Sequence, residues 1–182
     1  MDSHLHNASY WAYVSDMRRK SLEKANCPIA RSLERVGEWW SILILRDALH
    51  GYTRFEEFRE SLGVAPNILT TRLARLVDDG FLERRQYSEH PPRYEYVPTQ
   101  RGRDFRPVLL SLMAFGNKHF APEGAMVEVV NTTTGRPADI GVFDHGTGLP
   151  IAAPDYRMVP GPAANARVRK RYARRKVEAG AA

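Results

Sequence analysis

Asn67, Ile68, Thr70, Thr71, Arg72 and Arg75 lie within nine residues of one another, and their types are those that can read the edges of bases. Arginine grips guanine O6 and N7, asparagine pairs with adenine N6 and N7, and an apolar group or threonine meets a thymine methyl. The spacing of Asn67, Ile68, Thr71 and Arg75 predicts a single helical face. Stepping about 100° per residue from Leu73, Leu69, Leu76, Val77 and Gly80 fall within about 60° and form an apolar stripe. Asn67, Ile68, Thr71, Arg75 and Asp78 fall opposite, flanked by Arg72 and Ala74. A merely solvated polar surface would account for most of these residues, but not for Ile68.

The neighbouring segments must hold this helix. Ile29, Leu33 and Val36 recur at helical spacing until Gly37. Trp39–Leu49 is apolar nearly all round, which places it at the centre of a core with Trp39 and Trp40 packed inside. Gly51 stops it. Phe55, Phe58 and Leu62 predict a short helix ended by Gly63, and Pro66 opens the helix of interest, which runs to Asp79 and Gly80. Phe81–Arg85 and Tyr94–Val97 then alternate as strands, joined by an eight-residue loop, Gln86–Arg93, stiffened by Pro91 and Pro92. A rigid arm ending in Arg93 suits the minor groove or its phosphates. Arg54 is placed to touch a phosphate and set the register, whereas Arg84 and Arg85 read equally well as strand-surface charges. Thr99 caps a long amphipathic helix carrying Phe105, Val108, Leu109, Leu112, Phe115 and Phe120, and Pro107 should kink it or mark its effective start. This order predicts a mainly α fold with a β-hairpin wing (α+β): a winged helix-turn-helix, with a small C-terminal β-rich extension behind it.

The chain has 182 residues, 43% hydrophobic and 26% charged, as one soluble domain with appendages. Five segments are expected: an arm at 1–26 with an aromatic patch (Tyr10, Trp11, Tyr13, Val14), the winged helix at 27–98, a helix at 99–121, the extension at 122–162 and a basic tail at 163–182. No apolar run approaches the roughly 20 residues of a membrane helix. Met1–Asn7 has neither a basic n-region nor an apolar core, so a cytoplasmic protein without a secretory signal is expected. The lone Cys27 excludes an intrachain disulfide and any multi-cysteine metal site. The net charge of +6 sits in the tail, where residues 167–176 hold seven of the 27 basic groups; residues 1–166 balance at 20 basic and 20 acidic. Such a tail raises non-specific affinity for nucleic acid or is simply a solvated terminus. In the extension, Thr134-Gly135-Arg136-Pro137 and Thr147-Gly148-Leu149-Pro150 echo each other 13 residues apart, each after an apolar run, which predicts a β-meander with matched turns. Asp139, Asp144 and His145 cluster in sequence without a nucleophile motif, phosphate loop or metal-type histidine spacing. Neither catalysis nor a cofactor is expected.

The residues Cys27-Pro28-Ile29, Val36-Gly37-Glu38-Trp39, Ile42–Asp47, Arg54-Phe55, Asn67-Ile68-Leu69-Thr70, Arg72-Leu73, Asp79-Gly80 and Pro91–Tyr96, with Thr99 and Gly102, resemble the HxlR-type transcriptional regulators within the broader MarR-like winged-helix group. The resemblance spans about residues 27–120. It implies a homodimeric bacterial regulator that binds double-stranded DNA through Asn67–Arg75 and a wing at Pro91–Arg93. It also implies dimer contacts from the arm before Cys27 and the helix after Thr99. Cys27 matches a position where some relatives sense oxidants, with Lys24 and Arg31 as neighbouring cations. An aromatic effector pocket beside the Trp39–Trp40 helix is a further family expectation. Two departures stand out. Ala65 replaces the serine that caps this helix in many relatives, and Pro98 replaces a usual leucine. Some relatives carry a similar extension whose turns hold the cysteine pairs of a zinc ribbon; here those turns are Thr-Gly and His-Gly-Thr-Gly, so no zinc is inferred.

The resulting expectation is a repressor, or an activator, on a pseudo-palindromic operator. Two rivals use the same residues: a winged helix that binds protein partners, and an architectural DNA binder driven by the tail.

Overall fold

The structure is a computed structural model that describes residues 21–152 and 154–173. The aromatic patch at 10–14, His4, His6 and the tail cations Arg174, Arg175 and Lys176 lie outside the described residues.

Helix α1 (Pro28–Val36) starts on a proline, whose fixed φ suits the first helical position. It ends where the Gly37 N–H donates to the Leu33 carbonyl at 2.8 Å. A Cβ on Gly37 would sit 2.3 Å from that carbonyl oxygen, so only glycine lets the chain turn so closely into the next helix. Helix α2 (Trp39–Leu49) supplies the buried Ile44, Leu45 and Ala48. Helix α3 (Phe55–Leu62) begins with Glu57 Oε2 accepting the N–H groups of Thr53 and Arg54, both at 2.8 Å, and ends at Gly63 in the left-handed region. Helix α4 (Pro66–Asp78) follows after a three-residue turn.

The core forms where α2, α3 and α4 meet the base of a hairpin. Val36, Ile44, Leu45, Phe58, Val64, Leu69, Leu73, Leu76 and Leu82 are all buried in one cluster. Leu69, Leu73 and Leu76 confirm the predicted stripe of α4, and all three are fully buried. Each contributes about 1.5–3 kcal/mol by leaving water. Trp40 packs against this cluster. Trp39, expected inside, is 70% exposed. As the first residue of α2 it projects beyond the helices that cover the rest of the element.

Strands β1 (Leu82–Glu89) and β2 (Pro92–Pro98) pair antiparallel from Leu82–Pro98 out to Glu89–Pro92, with a bulge between Gln86 and Ser88. The predicted eight-residue loop is thus mostly ladder, and only His90-Pro91, joined by a cis peptide, forms the tip. The outer ribbon carries no strand alternation in sequence because it has no core face to impose it. Pro92 is tolerated as the first residue of its strand. The third participant is the α2–α3 connection: Thr53 O accepts the Tyr96 N–H at 2.7 Å, and Arg54 bridges Glu95.

The long helix after Thr99 is two helices, α5 (Gln100–Asp104) and α6 (Arg106–Phe120), with Pro107 in the first turn of the second. Thr99 Oγ1 accepts from the Gly102 N–H at 3.2 Å, confirming the cap. Among the described residues, the β-meander expected at 122–162 reduces to two isolated bridges, Val130–Pro137 and Phe143–Pro150. Proline lacks the N–H a longer ladder needs, so each apolar run closes on its own turn. Asn131 Oδ1 and Asp144 Oδ1 each cap their turn. A short helix, α7 (Ala166–Ala173), lies in the basic tail.

Candidate nucleic-acid interface

Helix α4 meets its N-terminus without a side-chain cap, because Ala65 has no acceptor. From there Asn67, Ile68 and Thr71 are exposed opposite the leucine stripe, and Thr70 is exposed at its edge. Ile68 is 36% exposed, a large apolar side chain facing outward as its spacing predicted. Thr70 Oγ1 donates to Pro66 O and Thr71 Oγ1 to Asn67 O, both at 2.8 Å. With those protons spent within the helix, each threonine still offers an acceptor lone pair and a methyl group. Asn67, Ile68, Thr71 and Arg72 together line a shallow open depression of about 170 Å³.

The two arginines of α4 are placed differently from the rest. Arg72 turns toward α2, where its Nη2 lies 3.2 Å from Glu38 Oε2. Arg75 Nε donates to Asp79 Oδ2 at 2.9 Å, one turn further along. Both line the cleft that separates α4 from α1 and α2, together with Glu34, Arg35 and Ser41. Neither ion pair is among the expectations drawn from the sequence. The Arg75–Asp79 spacing of four residues was the available signal; nothing in the sequence links Arg72 to Glu38.

At the wing, Arg93 is exposed beside the tip and pairs across the ladder with Ser88. Ser88 Oγ donates to Pro91 O at 3.0 Å and so ties the tip to its own strand. Arg54 places its guanidinium 4.9 Å from the centroid of the Tyr87 ring, at the bulge. Arg84 covers Tyr94 at 3.5 Å, and Arg85 pairs with Glu83 at 2.8 Å. These last two are engaged along the ribbon surface.

Cys27 is half-buried at the N-cap of α1. The Ala30 N–H chiefly, with the Ile29 N–H and the Arg171 guanidinium, draws the thiol below its ordinary pKa, against a partial opposing effect of burial. The cation beside it is therefore Arg171 of α7, not Lys24 or Arg31; the Arg31 Nε donates to Ala25 O at 2.6 Å. A contact across 144 residues leaves no trace in local spacing.

Two helices carry apolar faces that nothing in the described chain covers. On α1 these are Ile29 and Leu33; on α6 they are Val108, Leu112, Phe115 and Phe120. Helix α6 has 15 residues and none of them is buried. A cleft of about 660 Å³ separates α6 from the extension, lined by Met113, Phe115, Asn117, Val129, Ile140 and Val142 among others. Its lining includes no residue of α2, the helix beside which an effector pocket is expected from the sequence. Asp144 Oδ2 accepts from Thr147 Oγ1 and Tyr156 Oη, both at 3.0 Å. Donors around that carboxyl, led by the Gly146 N–H, hold it below the usual carboxylate range. Its role is to close a turn. Among the described residues there is no group of three or more His, Cys, Asp or Glu that could hold a metal, and no helix long and apolar enough to cross a membrane.

Comparison with known proteins places the same region in a family. Residues 35–124 match the family model described as HxlR-like helix-turn-helix. The chain is similar to Rv3095 of Mycobacterium tuberculosis, an uncharacterized HTH-type transcriptional regulator: 36% identity over 141 residues, 77% of this chain and 89% of the relative. Among solved structures, PA1607, described as a candidate transcription factor, superposes with a TM-score of 0.69 at 40% identity, covering 78% of this chain and all of that one. PA1374 of Pseudomonas aeruginosa, described in the same way, gives 0.58 at 52% identity over 80% of this chain and 99% of its own.

Proposed function

Since the chain belongs to the HxlR-like helix-turn-helix family and is a transcriptional regulator with a helix-turn-helix DNA-binding domain, we propose that it acts as a homodimeric repressor on a pseudo-palindromic operator. The observation that carries this reading is the division of α4. Its leucine stripe is fully buried, while Asn67, Ile68 and Thr71 face outward. Two copies of α4 set about 34–36 Å apart would enter successive major grooves. Asn67, Ile68 and Thr71 then contact base edges, with Thr70 beside them. Arg72 and Arg75 clamp the backbone from the flank, Arg54 holds a phosphate and Arg93 anchors the wing in the adjacent minor groove.

The homodimer accounts for the uncovered faces of α1 and α6, which a lone chain leaves in water. Cys27 sits two residues from Ile29 on that face, with its thiol drawn toward the thiolate. Oxidation there would change how two copies meet, which makes an oxidant the effector favoured by these residues. The cations of α7, Arg167, Arg169, Lys170 and Arg171, add sequence-independent attraction to phosphates.

Fluorescence anisotropy tests the assignment, with the duplex upstream of the protein's own gene against a scrambled duplex, at about 50 and 200 mM salt. Retention of the native duplex at the higher salt, with the scrambled one lost, is the expected result. Equal binding that collapses with salt would assign the affinity to the tail instead. Binding to neither would leave the winged helix as a scaffold for a protein partner.

A further inference from the structure

The turn that ends α4 is gripped from several sides at once. The Asp79 side chain is only 4% exposed, and its two oxygens serve two different helices. Oδ1 accepts from Arg35 Nη1 of α1 at 2.6 Å, and Oδ2 accepts from Arg75 Nε of α4 at 2.9 Å. Arg35 also reaches back, through Nη2, to Glu23 Oε1 at 2.8 Å. The main-chain carbonyl of Asp79 accepts from Arg101 Nη1 of α5. One residue on, the Gly80 carbonyl accepts from Thr99 Oγ1 at 2.6 Å. Both elements with uncovered apolar faces thus converge here, α1 directly and α6 through α5.

We propose that Asp79 is a positioning residue for DNA recognition: by holding Arg35 and Arg75 on one buried carboxylate, it makes the seating of α1 set the presentation of α4. This rests on the reading of α4 as the DNA-contacting helix. A carboxylate with so little access to water requires its partners, because removing one leaves a buried charge uncompensated. The response is for the turn and the end of α4 to shift. α1 adds only Val36 to the buried core, so the ionic link is a principal tie between it and α4. The same bond occupies Arg75 Nε, which aims the guanidinium at the backbone site it clamps and keeps it from swinging onto other phosphates. Losing Asp79 therefore has a distinctive signature: weaker discrimination together with stronger attachment to any duplex.

The test uses the full chain as wild type, Arg35→Ala, Arg35→Lys, Asp79→Asn and the Arg35→Ala/Asp79→Asn double variant. Each is titrated with the duplex upstream of its own gene and with a scrambled duplex. Hydrogen exchange of residues 66–78 is followed in parallel without DNA. The expected result is a loss of about tenfold in the native-to-scrambled affinity ratio for Arg35→Ala and Asp79→Asn. The double variant should lose no more than either single one, and Arg35→Lys should recover part of the loss. Asp79→Asn should also bind the scrambled duplex more tightly, and α4 amides should exchange faster in Arg35→Ala while those of β1 and β2 hold. An unchanged ratio, or losses that multiply in the double variant, would overturn the proposal. If the wild type itself does not discriminate between the duplexes, the DNA reading of α4 fails, and exchange alone decides the role of Asp79. Unaltered protection of α4 in Arg35→Ala would then reject it. Arg35→Ala keeps the test open should Asp79→Asn fail to fold.

Discussion

The guanidinium of Arg54 lies 4.9 Å from the centre of the Tyr87 ring, joining the start of α3 to the bulge of the wing. The same residue bridges Glu95 through its backbone, so the wing is fixed to the helical body by both chain and side chain. The side-chain contact contributes about 0.5–1 kcal/mol at an exposed site. Tyr87→Ala should lower thermal stability by about that amount and weaken DNA binding a few-fold on every sequence. Calorimetry and anisotropy check the two effects separately.

Base readers and phosphate anchors leave different signatures. Asn67→Ala should cost about 1–3 kcal/mol on the native operator and little on random DNA. Arg93→Ala should weaken both duplexes alike and reduce the salt slope by about 1. Salt titrations on paired duplexes distinguish them, and a uniform loss in Asn67→Ala would remove it from the reading face.

Glu57 accepts the N–H groups of Arg54 and, less strongly, Thr53, which hold its carboxyl below the usual carboxylate range. A carboxyl with a depressed folded pKa adds stability that is present above its unfolded value, about 4.3. That stability is lost as the pH falls through the folded value. Glu57→Gln should therefore melt below the wild type near about pH 7, with the gap closing by about pH 3. Thermal melts across that range give the answer; a gap that is constant with pH would exclude the carboxylate as its source.

Leu112 stands half-exposed in the middle of the uncovered α6 face. A charge there would have to be buried in any dimer built on α6. Leu112→Glu should run as a monomer in light scattering at concentrations where the wild type is a dimer. An unshifted mass would move the interface off this helix.

Cys27 lies at the N-cap of α1, beside the Arg171 guanidinium. Diamide should release the wild type from its operator and leave Cys27→Ser bound. Equal responses of the two proteins would end the role of this thiol.

Much of this architecture is legible along the chain where one periodicity dominates. Leu69, Leu73 and Leu76 announce α4 because one side of it must leave water, and Ile68 stands out because it does not. Gly37, Gly63 and Pro107 mark real element ends, since each meets a local steric demand. Legibility fails where burial does not pattern the residues. The outer wing has no core side, so Gln86–Glu89 reads as loop while pairing as strand. Trp39 looks like core by composition, yet its place at the end of α2 leaves it in water. Arg35 and Asp79 meet across 44 residues, and no local rule can bring them together.

Under the proposed DNA reading of α4, its two sides separate what keeps the protein folded from what selects its target. Leu69, Leu73 and Leu76 serve the first alone, and Asn67, Ile68 and Thr71 lie opposite. Exposed positions of that kind usually change at about ±0.5 kcal/mol in stability. On that reading, a duplicated copy of this gene would drift to a new promoter through three surface residues, while its descendants inherit the scaffold unaltered.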